Sequence, residues 1–151
     1  HLRAGVAGLT MEKKLPSAVL FICTQNAIRS PMAAALMHAS HGARTYVASA
    51  GISAGDPDPF VGLVMDEVGL DLTRHRPHSI DDLADSAFDL AITLSPEADA
   101  YAREMAKTMA IEVEYWPTPD PSTAQGSREQ ILESYRDVRR GLEKRLKERF
   151  G

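Results

Sequence analysis

Hydrophobic and polar positions alternate along this chain in two registers. Four short stretches read as strands: "AVLFIC" (18–23), a continuous apolar run, "RTYVASAG" (44–51), which ends in small residues, "FDLAITL" (88–94) and "IEVEYW" (111–116). Their length and their β-branched and aromatic content predict buried strands. Between them lie stretches with helical spacing. "SPMAAALMHASHG" (30–42) offers Ser30 as an N-cap, Pro31 in the first turn and Gly42 as a stop. "FVGLVMDEVG" (60–69) ends at Gly69, "SIDDLAD" (79–85) starts at Ser79, and "SPEADAYAREMA" (95–106) repeats the Ser-Pro start. A last helix is predicted from about Ser127 to Phe150. In it Leu132, Tyr135, Val138, Leu142, Leu146 and Phe150 share one face. Arg136, Arg139, Arg140, Lys144 and Lys147, mixed with Glu133, Glu143 and Glu148, read as its solvated face. Two loops, "GDPDP" (55–59) and "PTPDPSTAQG" (117–126), are rich in Pro and Asp.

Strands alternating with helices predict an α/β fold, a single domain whose parallel sheet is flanked by helices on both faces. Ligands of such sheets bind at the carboxyl ends of the strands. Cys23, the segment after Gly51, Ser95 and the 117–126 loop all follow strands and are therefore expected at one end of the molecule. The length of 151 residues suits one core. Residues 1–16 carry no convincing pattern and are read as a disordered arm or an expression remnant, with Met11 a candidate first residue and 17–151 the domain.

Composition narrows the function. The chain is 44% hydrophobic and 25% charged, with a formal net charge of −4. No apolar run approaches the about 20 residues of a membrane span, and nothing in the charge favours nucleic acid or anionic lipid. One cysteine leaves no internal disulfide and no cysteine-based zinc site. A reducing cytoplasm is the expected compartment. His38, His41 and His78 show no metal-ligand spacing and are assigned no role.

That cysteine, Cys23, ends the first strand, and Arg29 follows six positions later, just before a helix. The loop between them comprises Thr24, Gln25, Asn26, Ala27 and Ile28. Backbone N–H groups of such a loop, free of helical partners, suit a tetrahedral dianion. The same field favours a thiolate. Arg29 adds a planar fork for two anion oxygens. Asn26 tolerates a left-handed backbone, and Ser30 is placed to give its hydroxyl to the sulfur. The plain alternative is a small core thiol. Asp120, between Pro119 and Pro121, is a candidate proton donor at the same sheet end, where burial or a nearby thiolate would favour its protonated form; the alternative is an ordinary Asp-Pro turn.

"CTQNAIRSP" (23–31) resembles the Cys-x-Gly-Asn-x-Cys-Arg-Ser-Pro loop of the low-molecular-weight protein tyrosine phosphatases, which share their fold with a class of arsenate reductases. "SAG" (49–51), "DPDPFVGLVMDEVGLDLTRHRP" (56–77), "FDLAITLS" and the Asp-Pro at 120–121 extend the likeness. The resemblance implies a four-stranded parallel sheet and a cysteinyl-phosphate mechanism with no metal or cofactor. Cys23, Arg29 and Asp120 would be catalytic, and Thr24 to Ile28 with Ser30 would bind phosphate. Ser49 would support the loop, as would His75 through hydrogen bonds to Asn26 and Ser30. The implied partner is a phosphorylated protein, a small phosphomonoester or arsenate. Gln25 replaces the loop glycine and Ile28 the second cysteine, so the protective disulfide of many relatives cannot form. Ser122, Thr123 and "ISAGDPDP" (52–59) stand where relatives carry aromatics; Phe60, Tyr115 and Trp116 are the nearest aromatic candidates, otherwise core. The stretch 116–127 looks more like the arsenate-reductase branch, yet "TLSPEADAYA" (93–102) lacks the thiols of a three-cysteine relay. A phosphatase is the expected function. A single-cysteine arsenate reductase coupled to a small thiol is the alternative, and a non-catalytic oxyanion-binding module is a third reading.

Overall fold

The computed structural model describes residues 14–83 and 87–151. The arm expected over residues 1–16 therefore falls, up to residue 13, outside the described residues. Leu15 packs on the core, and the Pro16 carbonyl accepts a hydrogen bond from Thr45 Oγ1 at 3.0 Å.

Four strands form one parallel sheet in the order β2-β1-β3-β4: β1 (Ala18–Cys23), β2 (Tyr46–Gly51), β3 (Leu90–Thr93) and β4 (Glu112–Tyr115). β1 lies between two neighbours and is buried from Val19 onward, which explains its unbroken apolar run. Its register sets Cys23 beside Gly51 and Ile22 beside Thr93. At its start the Asp89 carboxylate accepts from the Ser17 and Ala18 N–H groups at 3.0 and 2.7 Å.

Side chains alternate between the two faces. Val19, Phe21 and Cys23 face a core built with α1 (Arg29–His41), α2 (Val61–Asp66) and α4 (Arg128–Phe150). Leu20 and Ile22 face a smaller core closed by α3 (Pro96–Met105). Helices thus flank both faces. A 3-10 turn, Ile80–Leu83, stands where a helix over 79–85 was expected; residues 84–86 lie outside the described residues. It is tied by the Asp82 carboxylate accepting from Ser79 N–H at 3.1 Å, the reverse of a Ser79 cap. No helix among the described residues is long and apolar enough to cross a membrane.

The long helix α4 starts with a reciprocal cap, Ser127 with Gln130. The six apolar residues read as its core face are all buried. Arg139, placed by its charge on the solvated face, is only 6% exposed. Its Nη1 donates to Val64 O at 2.6 Å and to Glu67 Oε1 at 2.8 Å, so it straps α4 to α2 through the uncapped end of that short helix. Arg136 adds a two-pronged hold on Glu67, and hydrogen bonds from Arg136 and Arg139 hold its carboxyl down at about 2. Arg139→Ala removes both buried packing and the partner of a buried carbonyl. It should cost about 2–3 kcal/mol in chemical denaturation, whereas Arg140→Ala, on the exposed side, should change stability by less than about 0.5 kcal/mol.

Candidate active site

The cleft opens at the carboxyl ends of β1, β3 and β4. Cys23, Thr24, Gln25, Ala27, Ile28, Arg29, Glu97, Asp120 and Ser122 line a space of about 340 Å³. Elements far apart in sequence meet here as the strand order requires.

Cys23 is 2% exposed as a residue, yet its sulfur is not merely core. The Asn26 backbone N–H donates to Cys23 Sγ at 3.2 Å, and Ser30 Oγ lies 2.9 Å from it. The first contact requires the chain to turn back on itself. Asn26 achieves this with φ +57°, the one positive φ among the described non-glycine residues.

That conformation is held by the Asn26 side chain, which is fully buried. Its amide NH2 donates to Ser30 Oγ at 2.8 Å and to Ser49 Oγ at 2.9 Å. Its Oδ1 accepts from the His78 backbone N–H at 3.1 Å. Its own main-chain carbonyl accepts from His75 Nε2 at 2.7 Å. Ser30 Oγ accepts from Asn26, and its proton has two acceptors in reach, Cys23 Sγ at 2.9 Å and Ala50 O at 3.4 Å. Ser30 therefore does not cap α1. The helix begins at Arg29 with Ile28 in the cap position and no side-chain cap, and the Ser30 hydroxyl serves Cys23 instead.

Gly51 fixes the other wall. A methyl group there would lie 2.7 Å from Gln25 C, 2.8 Å from Asn26 N and closer still to Ser53 O. Beyond Gly51 the chain continues alongside the loop: Ile52, Ser53 and Gly55 N–H groups donate to the carbonyls of Cys23, Thr24 and Gln25 at 3.2, 3.1 and 2.9 Å. The Gln25 side chain spreads over Gly55 and stands at the rim, exposed. The Gln25 side chain, in place of a glycine, thus stands at the rim of the loop rather than filling it.

Arg29 is partly buried and donates through Nη1 to Thr118 O at 3.0 Å, bridging the cysteine loop to the 117–126 loop. Asp120 is exposed rather than buried. Its Oδ1 accepts from Ser122 N–H at 3.0 Å and Ser122 Oγ at 2.6 Å, which fixes the carboxylate at the cleft wall.

His75 supports the loop through Asn26 O but makes no bond to Ser30; Asn26 itself reaches that hydroxyl. Burial, the largest influence, lowers the His75 pKa from its ordinary 6.5. The hydrogen bond to Asn26 O opposes this, and the neighbouring His78 and Arg76 charges add to it. Three contributors escaped the sequence reading. His78, assigned nothing, holds both Asn26 Oδ1 and, through Nε2 at 2.6 Å, Ser49 O. Thr118 anchors Arg29 through a carbonyl, which no residue type reveals. Glu97 was legible as the residue two places after the Ser95 cap at the same sheet end. Of the aromatic candidates, Trp116 is buried against Phe21, and Phe60 packs edge-on against Tyr135.

The family model for low molecular weight phosphotyrosine protein phosphatase matches residues 18–150. The chain belongs to this family. An arsenate reductase of Bacillus subtilis (strain 168) is 34% identical over 139 residues, covering 91% of this chain and 96% of the relative. Among solved structures, the tyrosine phosphatase Wzb from Escherichia coli K30 in complex with phosphate superposes with a TM-score of 0.72 at 25% identity, covering 93% of this chain and 97% of that one. An arsenate reductase in the phosphate binding state superposes with a TM-score of 0.67 at 26% identity, covering 87% and 94%. The family is enzymatic, and its relatives here carry both names.

Gly51→Ala should push the loop off its register, costing about 1–3 kcal/mol of stability in chemical denaturation. The lowered His75 pKa means the unfolded chain takes up that proton more readily than the folded one. Its contribution is complete above about pH 6.5 and is lost as pH falls through the lower folded value. Urea midpoints should therefore fall between pH 7 and pH 5.5, and His75→Gln should flatten that slope.

Proposed function

We propose that this protein hydrolyses phosphomonoesters through a cysteinyl-phosphate intermediate. The observation that carries the reading is the sulfur of Cys23 held by the Asn26 N–H and the Ser30 hydroxyl in a cleft that also presents Arg29 and Asp120. A thiol meant only for packing needs neither donor.

In this reading the loop N–H groups and Arg29 hold the three non-bridging oxygens, so charge on them stays neutralised throughout. The Cys23 thiolate attacks phosphorus, forming the S–P bond as the ester P–O bond breaks. Asp120 gives its proton to the leaving oxygen. Asp120, now a carboxylate, takes a proton from water as that water attacks phosphorus. The S–P bond breaks, inorganic phosphate is released, and the thiolate and the protonated Asp120 are restored. Donation by Asn26 and Ser30 stabilises the sulfur as leaving group in this second half.

The mouth beside the cleft is lined by Gln25, Ala54, Gly55, Asp56, Pro57, Asp58, Pro59 and Ser122 among others, none of them aromatic. Phosphotyrosine would find no ring to stack on there, so the substrate range extends to small or aliphatic phosphomonoesters as well as phosphoprotein.

A second reading, arsenate reduction, is favoured by the arsenate reductase name of the 34% identical relative. It requires two electrons from two thiols, and these 151 residues contain one cysteine. Cys23 would form an S–As bond with arsenate as an As–OH oxygen leaves as water; an external small thiol would then attack the Cys23 sulfur, the S–As bond breaking with its electron pair left on arsenic, to give arsenite and a mixed disulfide that a second small thiol reduces.

Assays of p-nitrophenyl phosphate hydrolysis and of arsenate reduction with glutathione, run side by side, test the reading. Turnover of the aryl phosphate is expected. Cys23→Ser should abolish it and Asp120→Asn should lower kcat by roughly 10²–10³-fold. Arsenate reduction without phosphatase turnover would establish the second reading, and phosphate binding without either activity would leave a binding module.

A further inference from the structure

The cleft contains a carboxylate for which the proposed mechanism has no use. Glu97 lines it together with Cys23, Arg29 and Asp120. It sits two residues after Ser95, the N-cap of α3. Thr24 Oγ1 lies 3.1 Å from Glu97 Oε1 and 2.9 Å from Ser95 Oγ. The Thr24 hydroxyl is thus within donating distance of both the Ser95 hydroxyl and the Glu97 carboxylate. Ser95 Oγ in turn accepts from Ala98 N–H at 3.2 Å. Glu97 is exposed, and this contact sets its carboxylate beside the residue that follows Cys23.

An acid in the first turn of a helix is common and favourable for the helix itself. Asp99, in the same turn, behaves that way: it takes Thr93 Oγ1 and pairs with Arg103. Glu97 is instead directed across the cleft edge to the cysteine loop. Among the described residues lining the cleft, Arg29 is the one cation, set against two carboxylates, Glu97 and Asp120. A site built only to hold a dianion as tightly as the loop allows gains nothing from a fixed negative charge at its rim.

We propose that Glu97 is a specificity-determining residue of this cleft: its fixed carboxylate weakens the loop's hold on bare tetrahedral oxyanions such as inorganic phosphate, favouring esters that gain contacts beyond the phosphoryl group. The inference rests on the oxyanion-binding reading of the site. A free phosphate ion meets the loop and the opposing charge and nothing else. An ester meets the same repulsion but recovers binding through its leaving group against the mouth. The product therefore departs more readily, and inorganic phosphate in the surrounding solution competes less well.

Isothermal calorimetry with inorganic phosphate at low ionic strength tests this on the wild-type protein, on Glu97→Gln and on Glu112→Gln. Glu112 is exposed at the start of β4, the opposite end of the sheet. Glutamine keeps an acceptor for Thr24 and removes the charge. Glu97→Gln should bind phosphate about three- to tenfold more tightly, as expected for one like charge removed from a partly solvated site. The gain should shrink as salt is raised toward 0.5 M, and Glu112→Gln should match wild type. The competitive inhibition constant of phosphate in the aryl phosphatase assay should fall by the same factor. Unchanged phosphate affinity in Glu97→Gln, with a shifted melting temperature, would assign Glu97 to the helix alone and overturn the proposal. Absence of phosphate binding by all three proteins would overturn the oxyanion reading and this inference with it.

Discussion

One buried amide holds the site together. Asn26 must stand in a left-handed conformation to point its N–H at Cys23, and a non-glycine residue adopts that conformation at a cost. The cost is offset because every polar group of the side chain is engaged: with Ser30, Ser49 and the His78 main chain, all shielded from water. In such surroundings each lost partner leaves a polar group stranded at about 1–3 kcal/mol. The clamp is therefore stiff, and the sulfur it serves is presented in one position. Preorganised donors of this kind are what acyl and phosphoryl transfer demand, since they need no rearrangement as charge develops.

The sheet delivers the pieces to the clamp. β1 carries Cys23, β2 ends in Gly51, whose missing side chain lets the loop close against it, and β3 leads into Ser95 and Glu97. β4 leads into the loop of Thr118 and Asp120. The Arg29 bond to Thr118 O ties the cysteine loop to the loop that carries Asp120. Distant strapping matters in the same way: Arg139 and Arg136 fix α4 to α2, and the Tyr135 hydroxyl on α4 donates to Asp58 at 2.7 Å beside the cleft mouth. Two loops and a helix terminus thus share one rigid frame.

Much of this was legible in the sequence because it depends on local rules. Short apolar and β-branched stretches named four strands, and the left-handed tolerance of Asn26 followed from its residue type. Where the reading failed, the same local signal served a different tertiary purpose. Ser30-Pro31 and Ser95-Pro96 look alike, yet Ser95 caps its helix while Ser30 turns to the sulfur. Arg139 has the charge of a surface residue but is buried, because Val64 O at the end of α2 needs a donor. Thr118 acts through its carbonyl and His78 in part through its backbone N–H, groups that no residue type reveals, while the His78 ring bond to Ser49 O depends on a tertiary approach. Glu97 lay in plain view at the right end of the sheet; only its distance from Thr24 tells it apart from an ordinary helix-start acid.

The central claim is that one cradle serves both the sulfur and a tetrahedral oxyanion. A crystal structure of the protein grown with phosphate tests it most directly. The account predicts the ion seated over Cys23 Sγ, contacted by loop N–H groups and the Arg29 guanidinium, with Asn26 still left-handed. A loop that relaxes to an ordinary right-handed turn, with the sulfur swung into the apolar core and phosphate bound elsewhere, would contradict it.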